Sequence, residues 1–255
     1  MIDNNSKEFI YRHIGPTVDE QAKMLKKVGY KTLEDLMKNT VPEKILLKEE
    51  LKIDTPLSEN DALKKLKSIS KKNKIFRNFI GMGYYNSFTP NVILRNILEN
   101  PGWYTSYTPY QPEVAQGRLE MLLNFQQLII DLTGMDIANA SLLDEATAAA
   151  EAVGLSQRLD KNNSKKIFVS SSCNPQTIDL IKTRAEPFGL ELIIGDEKND
   201  LQNIKENIVC GVLSYPGTLG DVQDPSESIS QIHKKNGKAI LVCDLLALTR
   251  LKTPS

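Results

Sequence analysis

The feature that most constrains the fold is an alternation of strand and helix patterns that begins near residue 138. Short runs rich in β-branched residues predict strands, listed here with their bounds: Lys166–Ser170, Leu190–Ile194, Ile208–Tyr215 and Ala239–Cys243. The segments before and between these strands predict helices over 144–158, from Asn174 and Pro175 onward, and over 226–236. Such units build a mostly parallel sheet with helices on both faces. The sequence therefore predicts an α/β domain whose ligands bind at the carboxyl ends of the strands.

The first 75 residues predict short helices ahead of that domain. Thr17 and Glu20 have the spacing of a capping box, and Gly29 stands where the helix they open would end. Thr32 and Ser58 are suited to cap the next two helices. We therefore divide the chain into a helical segment, 1–75, and a domain, 76–255, made of an aromatic loop over 81–112 and an α/β part over 113–255.

The charges are balanced overall but unevenly placed. Thirty-two basic and 32 acidic residues give a formal net charge of zero, which argues against nucleic acid or an anionic membrane as a partner. Lysine is nevertheless absent from the 86 residues between Lys74 and Lys161. Because lysine is usually exposed to solvent, we expect this lysine-free segment to be covered by something.

Seven of the 16 aromatic residues lie between Tyr84 and Tyr110, among several glycines and prolines. Tyrosines in rigid loops bury a ring and present a hydroxyl group, which leaves two interpretations, a functional surface and simple packing. The helix predicted next runs from Glu113 to Thr133, with Gly134 placed to end it. It is apolar nearly all round, so we expect it to be buried. Gly117 within it suggests the close approach of another backbone.

Two acidic positions are candidates for chemistry. Asp244 stands at the carboxyl end of the last predicted strand. A carboxylate at such a position either reaches a bound cofactor or only caps the loop that follows. The helix that opens at Asp144 and Glu145 carries two carboxylates at the positive end of its dipole and has no glycine there. Since helix starts bind phosphate through exposed N–H groups, we interpret this one as a disabled phosphate site.

Other classes of protein are not supported. Three cysteines without a C-x-x-C pair argue against a disulfide framework or a zinc site and suit a reducing cytosol. No apolar run approaches the length of a membrane span, and the first residues resemble neither a secretory signal nor a transit peptide. We expect a cytoplasmic protein.

One long run carries a family resemblance. Residues 104–120 read YTSYTPYQPEVAQGRLE and are followed by LLNFQ at 122–126. Further matches are RHIG at 12–15, FIGMGY at 79–84, NPGWY at 100–104 and LLDEATAAAEA at 142–152. Together they resemble the glycine cleavage system P-protein, the pyridoxal-phosphate-dependent glycine decarboxylase, over essentially the whole chain.

The resemblance implies a fold type I aminotransferase-like large domain and a reaction. In this family pyridoxal phosphate is the electron sink for the decarboxylation of glycine. Carbon dioxide is released, and the remaining aminomethyl group passes to the lipoyl arm of the H-protein. P-proteins have two homologous halves, fused or separate, in a dimeric assembly of paired halves, and only the C-terminal half carries the Schiff-base lysine. This chain resembles the N-terminal half.

The residues agree with that assignment. In fold type I enzymes the cofactor lysine lies beyond the strand that bears the ring-nitrogen aspartate, and only 11 residues follow Asp244. We therefore interpret Asp244 as the vestige of a cofactor position and expect no catalytic residue in this chain. Because further strands would be needed to complete such a domain, we also expect the sequence to be a fragment or a truncated product.

The loop over 105–113 is expected to line the active site of the catalytic half. Its candidate residues are Thr105, Tyr107, Tyr110, Gln111 and Glu113. An alternative remains open, in which this half is a noncatalytic scaffold that positions the catalytic half and docks the H-protein.

Overall fold

The computed structural model describes residues 9–13, 15–49, 51–104 and 108–255. Two compact units divide the chain, one that ends at Arg77 and one that begins at Asn78. In the described part of the chain, no helix is long and apolar enough to cross a membrane.

The described part of the first unit contains four short helices: α1 (Phe9–His13), α2 (Val18–Val28), α3 (Leu33–Thr40) and α4 (Glu59–Ser70). The capping box of α2 is confirmed, because the Thr17 hydroxyl accepts from the Glu20 backbone N–H and the Glu20 carboxylate accepts from the Thr17 backbone N–H. Gly29 ends α2 with φ of 87°. Helices α2, α3 and α4 bury no residue in the structure, so their apolar stripes are open on this unit.

The second unit begins with the aromatic loop and two short helical segments. Helix α5 (Asn91–Ile93) continues as a π-helical turn (Leu94–Leu98), and α6 spans Pro101–Tyr104. The described aromatic residues between 84 and 104 are exposed on this chain, which does not support simple packing within it. No described segment of the chain packs over them closely enough to exclude water.

Helix α7 (Gln116–Thr133) ends at Gly134, which has φ of 73° as predicted for a closing glycine. The expectation that α7 is buried is wrong, since none of its residues is buried and the Leu123 side chain is 65% exposed. The suggested close approach at Gly117 is also wrong, because a Cβ there would meet no atom within 4 Å. An all-round apolar helix needs a cover, and the described residues do not supply it.

The predicted parallel sheet is confirmed. Four strands, β1 (Lys166–Ser170), β2 (Glu191–Gly195), β3 (Cys210–Tyr215) and β4 (Lys238–Cys243), lie in the order β2-β1-β3-β4 with every pair parallel. Three helices connect or precede them, α8 (Glu145–Leu159), α9 (Pro175–Ala185) and α10 (Ser226–Lys234). Each strand and helix falls within a few residues of its predicted bounds.

The core lies on both faces of this sheet. Ile167 and Val169 of β1 point to the side covered by α8 and α9, where they are fully buried. Phe168, between them in sequence, points to the opposite side and packs with Ile232 of α10. Because neighbouring side chains of a strand alternate between faces, burial on both faces requires the continuous apolar runs that the sequence shows.

Candidate functional site

A cavity of about 330 Å³ opens at the carboxyl ends of β3 and β4. It lies where ligands bind in parallel α/β sheets, and both acidic positions singled out in the sequence, Glu145 and Asp244, line it. Its other lining residues are Gly83, Tyr85, Asn174, Ser214, Pro216, Gly217, Gly220, Val242 and Cys243. Of the residues that the structure describes, two carboxylates and no lysine or arginine line the cavity, so its local charge is negative.

The Glu145 carboxylate is held at the start of helix α9. Its Oε1 atom accepts a hydrogen bond from Asn174 Nδ2 at 2.9 Å and another from Thr177 Oγ1 at 3.0 Å. Both donors are buried, with Asn174 8% and Thr177 0% exposed. The predicted start of this helix at Asn174 is confirmed, since Asn174 stands at the N-cap position of α9. Its side chain makes no cap bond and donates to Glu145 instead.

The start of helix α8 is closed by a carboxylate as well. Asp144 Oδ1 accepts the backbone N–H of Thr147 at 2.7 Å, and this bond holds the pKa of Asp144 below its usual value. Asp144 thus caps α8, while Glu145, the next residue, accepts hydrogen bonds from two side chains of the first turn of α9. The interpretation of a disabled phosphate site concerns the start of α8 alone, where the Asp144 carboxylate accepts a backbone N–H group that a phosphate could otherwise bind.

Asp244 has the geometry of a loop cap. Its Oδ1 atom accepts backbone N–H groups from Leu246 at 2.8 Å and from Ala247 at 3.3 Å. A carboxylate bonded in this way stabilises the turn that follows a strand. Asp244 also lines the cavity. Its position therefore agrees with both roles considered from the sequence, contact with a cofactor and capping of a loop.

A glycine turn forms another wall of the cavity. Gly81, Met82 and Gly83 all have positive φ, which is unusual for a methionine. The carbonyl oxygen of Met82 accepts a hydrogen bond of 2.7 Å from Gln176 Nε2 of α9. A Cβ on Gly83 would lie 3.1 Å from Asn174 Nδ2, so this glycine allows the turn to pack against the Glu145 contact. No motif in the sequence predicted that this turn belongs to a site.

A cysteine also lines the cavity. Cys243 at the end of β4 lines it, and burial raises the pKa of the Cys243 thiol to about 11. The described residues contain no cluster of three or more histidine, cysteine, aspartate or glutamate side chains suited to hold a metal ion.

Pyridoxal phosphate does not fit the residues of this cavity. The group needs a lysine to hold its aldehyde carbon and donors for its phosphate. None of the described lysines lines the cavity, and the carboxylate of Asp144 occupies the start of α8, where a phosphate could bind.

The predicted loop residues lie elsewhere. Tyr110, Gln111 and Glu113 do not line this cavity, and Tyr110 is 85% exposed. Thr105 and Tyr107 lie outside the described residues. The structure therefore brings Glu145 and Asp244 together with the glycine turn, and it places the described part of the loop outside that group.

Comparison with known proteins decides the family. The model of the glycine cleavage system P-protein family matches residues 11–255. The chain belongs to this P-protein family. The resemblance stated from the sequence is thereby confirmed.

Individual relatives support the same assignment. The chain is 72% identical to the glycine dehydrogenase (decarboxylating) of Pelagibacter ubique (strain HTCC1062) over 100% of this chain and 26% of that protein. It is 52% identical to that of Psychromonas ingrahamii (strain DSM 17664 / CCUG 51855 / 37), over 98% of this chain and 26% of that protein. The chain thus spans about a quarter of the length of the curated relatives it matches.

A solved structure confirms the fold. The crystal structure of glycine decarboxylase (P-protein) of the glycine cleavage system, in inhibitor-bound form, matches with a TM-score of 0.83 at 31% identity. The match covers 94% of this chain and 55% of that chain. The predicted aminotransferase-like α/β domain is therefore shared with a P-protein of known structure.

Proposed function

We propose that this chain is the N-terminal part of a glycine decarboxylase of the glycine cleavage system. The enzyme decarboxylates glycine with pyridoxal phosphate and passes the aminomethyl group to the lipoyl arm of the H-protein. The observation that carries the proposal is the family match over residues 11–255, together with 72% identity to a glycine dehydrogenase (decarboxylating). A cytoplasmic location is part of the proposal and rests on the use of cysteine in the sequence.

Within that enzyme, the chain contributes no cofactor lysine. The cavity at the carboxyl ends of the strands supports this role, because it is lined by Glu145 and Asp244 and by no lysine. We interpret Asp244 as the vestige of a ring-nitrogen aspartate that now caps a turn. The lysine and the cofactor would then belong to a homologous second half of the enzyme.

The exposed aromatic loop and α7 form the surface proposed to contact that second half. Both lie in the lysine-free segment, and their apolar side chains are open on this chain. An interface core is enriched in aromatic residues and depleted in lysine, so this composition is suited to a permanent contact. Residues 105–113 would then line the active site of the catalytic half, with Thr105, Tyr107, Tyr110, Gln111 and Glu113 as the candidates.

Exchange of labelled bicarbonate into glycine tests the proposal. The chain would be co-expressed with the remainder of the Pelagibacter ubique relative, purified as a complex, and assayed with pyridoxal phosphate and lipoylated H-protein. We expect exchange activity from the complex and none from either part alone. Activity of the remainder alone, at the level of the complex, would contradict the proposal.

Replacement of Tyr107 or Tyr110 by phenylalanine separates the two roles left open for this chain. Loss of exchange in a complex that still assembles would support an active-site role for the loop. Full exchange in both variants would favour the scaffold, in which the chain positions the catalytic half and docks the H-protein.

A further inference from the structure

A strongly basic segment lies at the end of the first unit. The 14 residues from Lys64 to Arg77 include seven basic residues and no acidic residue. The segment begins in α4 and continues past the end of that helix, and all of its residues are exposed. Only Lys64 forms an ion pair with another described residue, Asp61, at 3.5 Å. The seven basic residues are Lys64, Lys65, Lys67, Lys71, Lys72, Lys74 and Arg77.

Helix α4 places part of this charge around an apolar stripe. Leu63, Leu66 and Ile69 recur every three residues along one face of the helix, and each is at least 50% exposed. Because of the helical period, Lys65 and Lys67 lie on opposite sides of that stripe. The open face of α4 therefore has an apolar centre and a basic rim, which is the pattern of a protein interface.

The composition of this segment is the opposite of that of the lysine-free segment. Lysine is depleted from interfaces, because a long charged side chain loses conformational freedom when it is fixed. Basic residues at a rim instead speed the encounter with an acidic partner, and each exposed ion pair adds little to affinity, so the contact releases easily. The basic segment is therefore suited to a partner that binds and leaves, whereas the lysine-free segment is suited to a permanent contact.

We propose that the basic segment, together with the apolar stripe of α4, is the docking surface for the lipoyl-bearing H-protein. The surface would bind acidic side chains that surround an apolar centre on that partner. The proposal rests on the proposed function above, in which the H-protein is the partner that has to bind and leave at each turnover.

A protein fits this surface better than a nucleic acid or a membrane does. A nucleic acid would contact the lysines through its phosphates and leave the apolar stripe in water. Helices that lie in a membrane interface carry aromatic residues on the apolar face, whereas α4 contains none. Its stripe of three aliphatic side chains matches the anchors of an amphipathic helix in the groove of another protein.

The test measures binding of lipoylated H-protein to the complex of this chain with the remainder of the Pelagibacter ubique relative. Lys65→Glu/Lys67→Glu reverses the rim beside the stripe. Lys44→Glu/Lys52→Glu is the matched control, because these two exposed lysines lie between α3 and α4, outside the basic segment. Calorimetry gives the dissociation constant, and bicarbonate exchange gives the KM for H-protein. We expect both constants to rise about tenfold for the rim variant and less than about twofold for the control. Lys65→Arg/Lys67→Arg, which keeps the charge, should retain tight binding.

Unchanged affinity of the rim variant, an equal loss in the control, or no binding of H-protein to the unaltered complex would each overturn the proposal. Phosphatidylglycerol vesicles and single-stranded DNA are the competing probes. Binding of either one that is lost in the rim variant, with H-protein affinity unchanged, would also overturn it. Exchange with a KM that ignores the charge reversal rejects only the docking surface, whereas charge-sensitive binding without exchange rejects only the proposed function.

Discussion

Asn174 Nδ2 donates a hydrogen bond of 2.9 Å to Glu145 Oε1, and this contact joins the first turns of α8 and α9 at the carboxyl edge of the sheet. Asn174, at the N-cap position of α9, makes no side-chain cap hydrogen bond to its own helix. The contact thus joins the two helices whose buried residues pack on one face of the sheet.

Replacement of Glu145 by alanine should destabilise the domain. The buried Asn174 amide and Thr177 hydroxyl would lose their acceptor, at an expected cost of about 1–3 kcal/mol in the free energy of unfolding. Urea denaturation in chloride buffer measures the loss. Glu151→Ala on the same helix is the matched control, because the Glu151–Arg184 ion pair is exposed and should contribute less than about 1 kcal/mol. Equal losses for the two variants would contradict this account of the contact.

Replacement of Gly83 and of Gly117 by alanine should change the stability of the domain in opposite directions. Gly83 has φ of 83° and would place a Cβ 3.1 Å from Asn174 Nδ2, so Gly83→Ala should destabilise the domain by about 1 kcal/mol or more. Gly117 lies in α7 with no atom near its ideal Cβ position, so Gly117→Ala should stabilise by up to about 1 kcal/mol. Thermal unfolding of both variants checks the signs, and a shift of the same sign in both would be the adverse result.

A buried serine and glutamate should form a second sensitive pair. The Ser170 hydroxyl at the end of β1 donates to the carboxylate of Glu197, and both residues are buried. Ser170→Ala should cost about 1–3 kcal/mol because it leaves a buried carboxylate without its donor. Ser164→Ala is the control, since the Ser164 hydroxyl oxygen is buried with no hydrogen-bond partner. Removal of this unpaired group should change stability by less than about 1 kcal/mol, and a control as damaging as Ser170→Ala would contradict the interpretation.

Cysteine reactivity should follow the raised thiol pKa values. Burial raises the pKa of Cys243 to about 11 and that of Cys210 to about 12. Alkylation requires the thiolate, so iodoacetamide should modify Cys243 very slowly at pH 8 and progressively faster as the pH approaches 11. Mass spectrometry at several pH values measures the rate, with the urea-unfolded chain as the reference. Modification of folded Cys243 at the unfolded rate at pH 8 would show that the thiol is not protected.

The same shifts set the sign of a pH effect on stability. Folding holds these thiols protonated above their ordinary pKa of about 8.5. Their contribution to the free energy of unfolding is therefore complete below about pH 8.5 and is lost as the pH rises through about 11. Urea midpoints at pH 8 and pH 10.5 test this, and an unchanged or higher midpoint at the higher pH would contradict it.

The sheet could be predicted closely because its signals are local. The bounds of β1 agree at both ends, Lys166 and Ser170, since a β-branched run between polar residues determines them. Thr17, Ser58 and Gly134 were likewise identified from cap preferences that involve only neighbouring residues. The elements that were predicted correctly are thus those determined by neighbouring residues.

The site was harder to predict because its contacts are not local. Asn174 has the right residue type for a cap, but its amide is recruited by Glu145, 29 residues away in the sequence. The apolar pattern of α7 indicates that the helix needs a cover without indicating which polypeptide supplies it. Gly83 was the one available signal for the turn beside Asn174, and its meaning depends on that tertiary contact.

Borohydride reduction shows whether this chain provides a lysine to pyridoxal phosphate, which we propose it does not. The folded chain and the urea-unfolded chain would be incubated with equimolar pyridoxal phosphate, reduced with borohydride, and mapped by peptide mass spectrometry. We expect that no lysine of the folded chain carries more pyridoxal phosphate label than the same lysine in the unfolded chain. Selective labelling of one lysine in the folded chain, with a matching absorbance band before reduction, would contradict it.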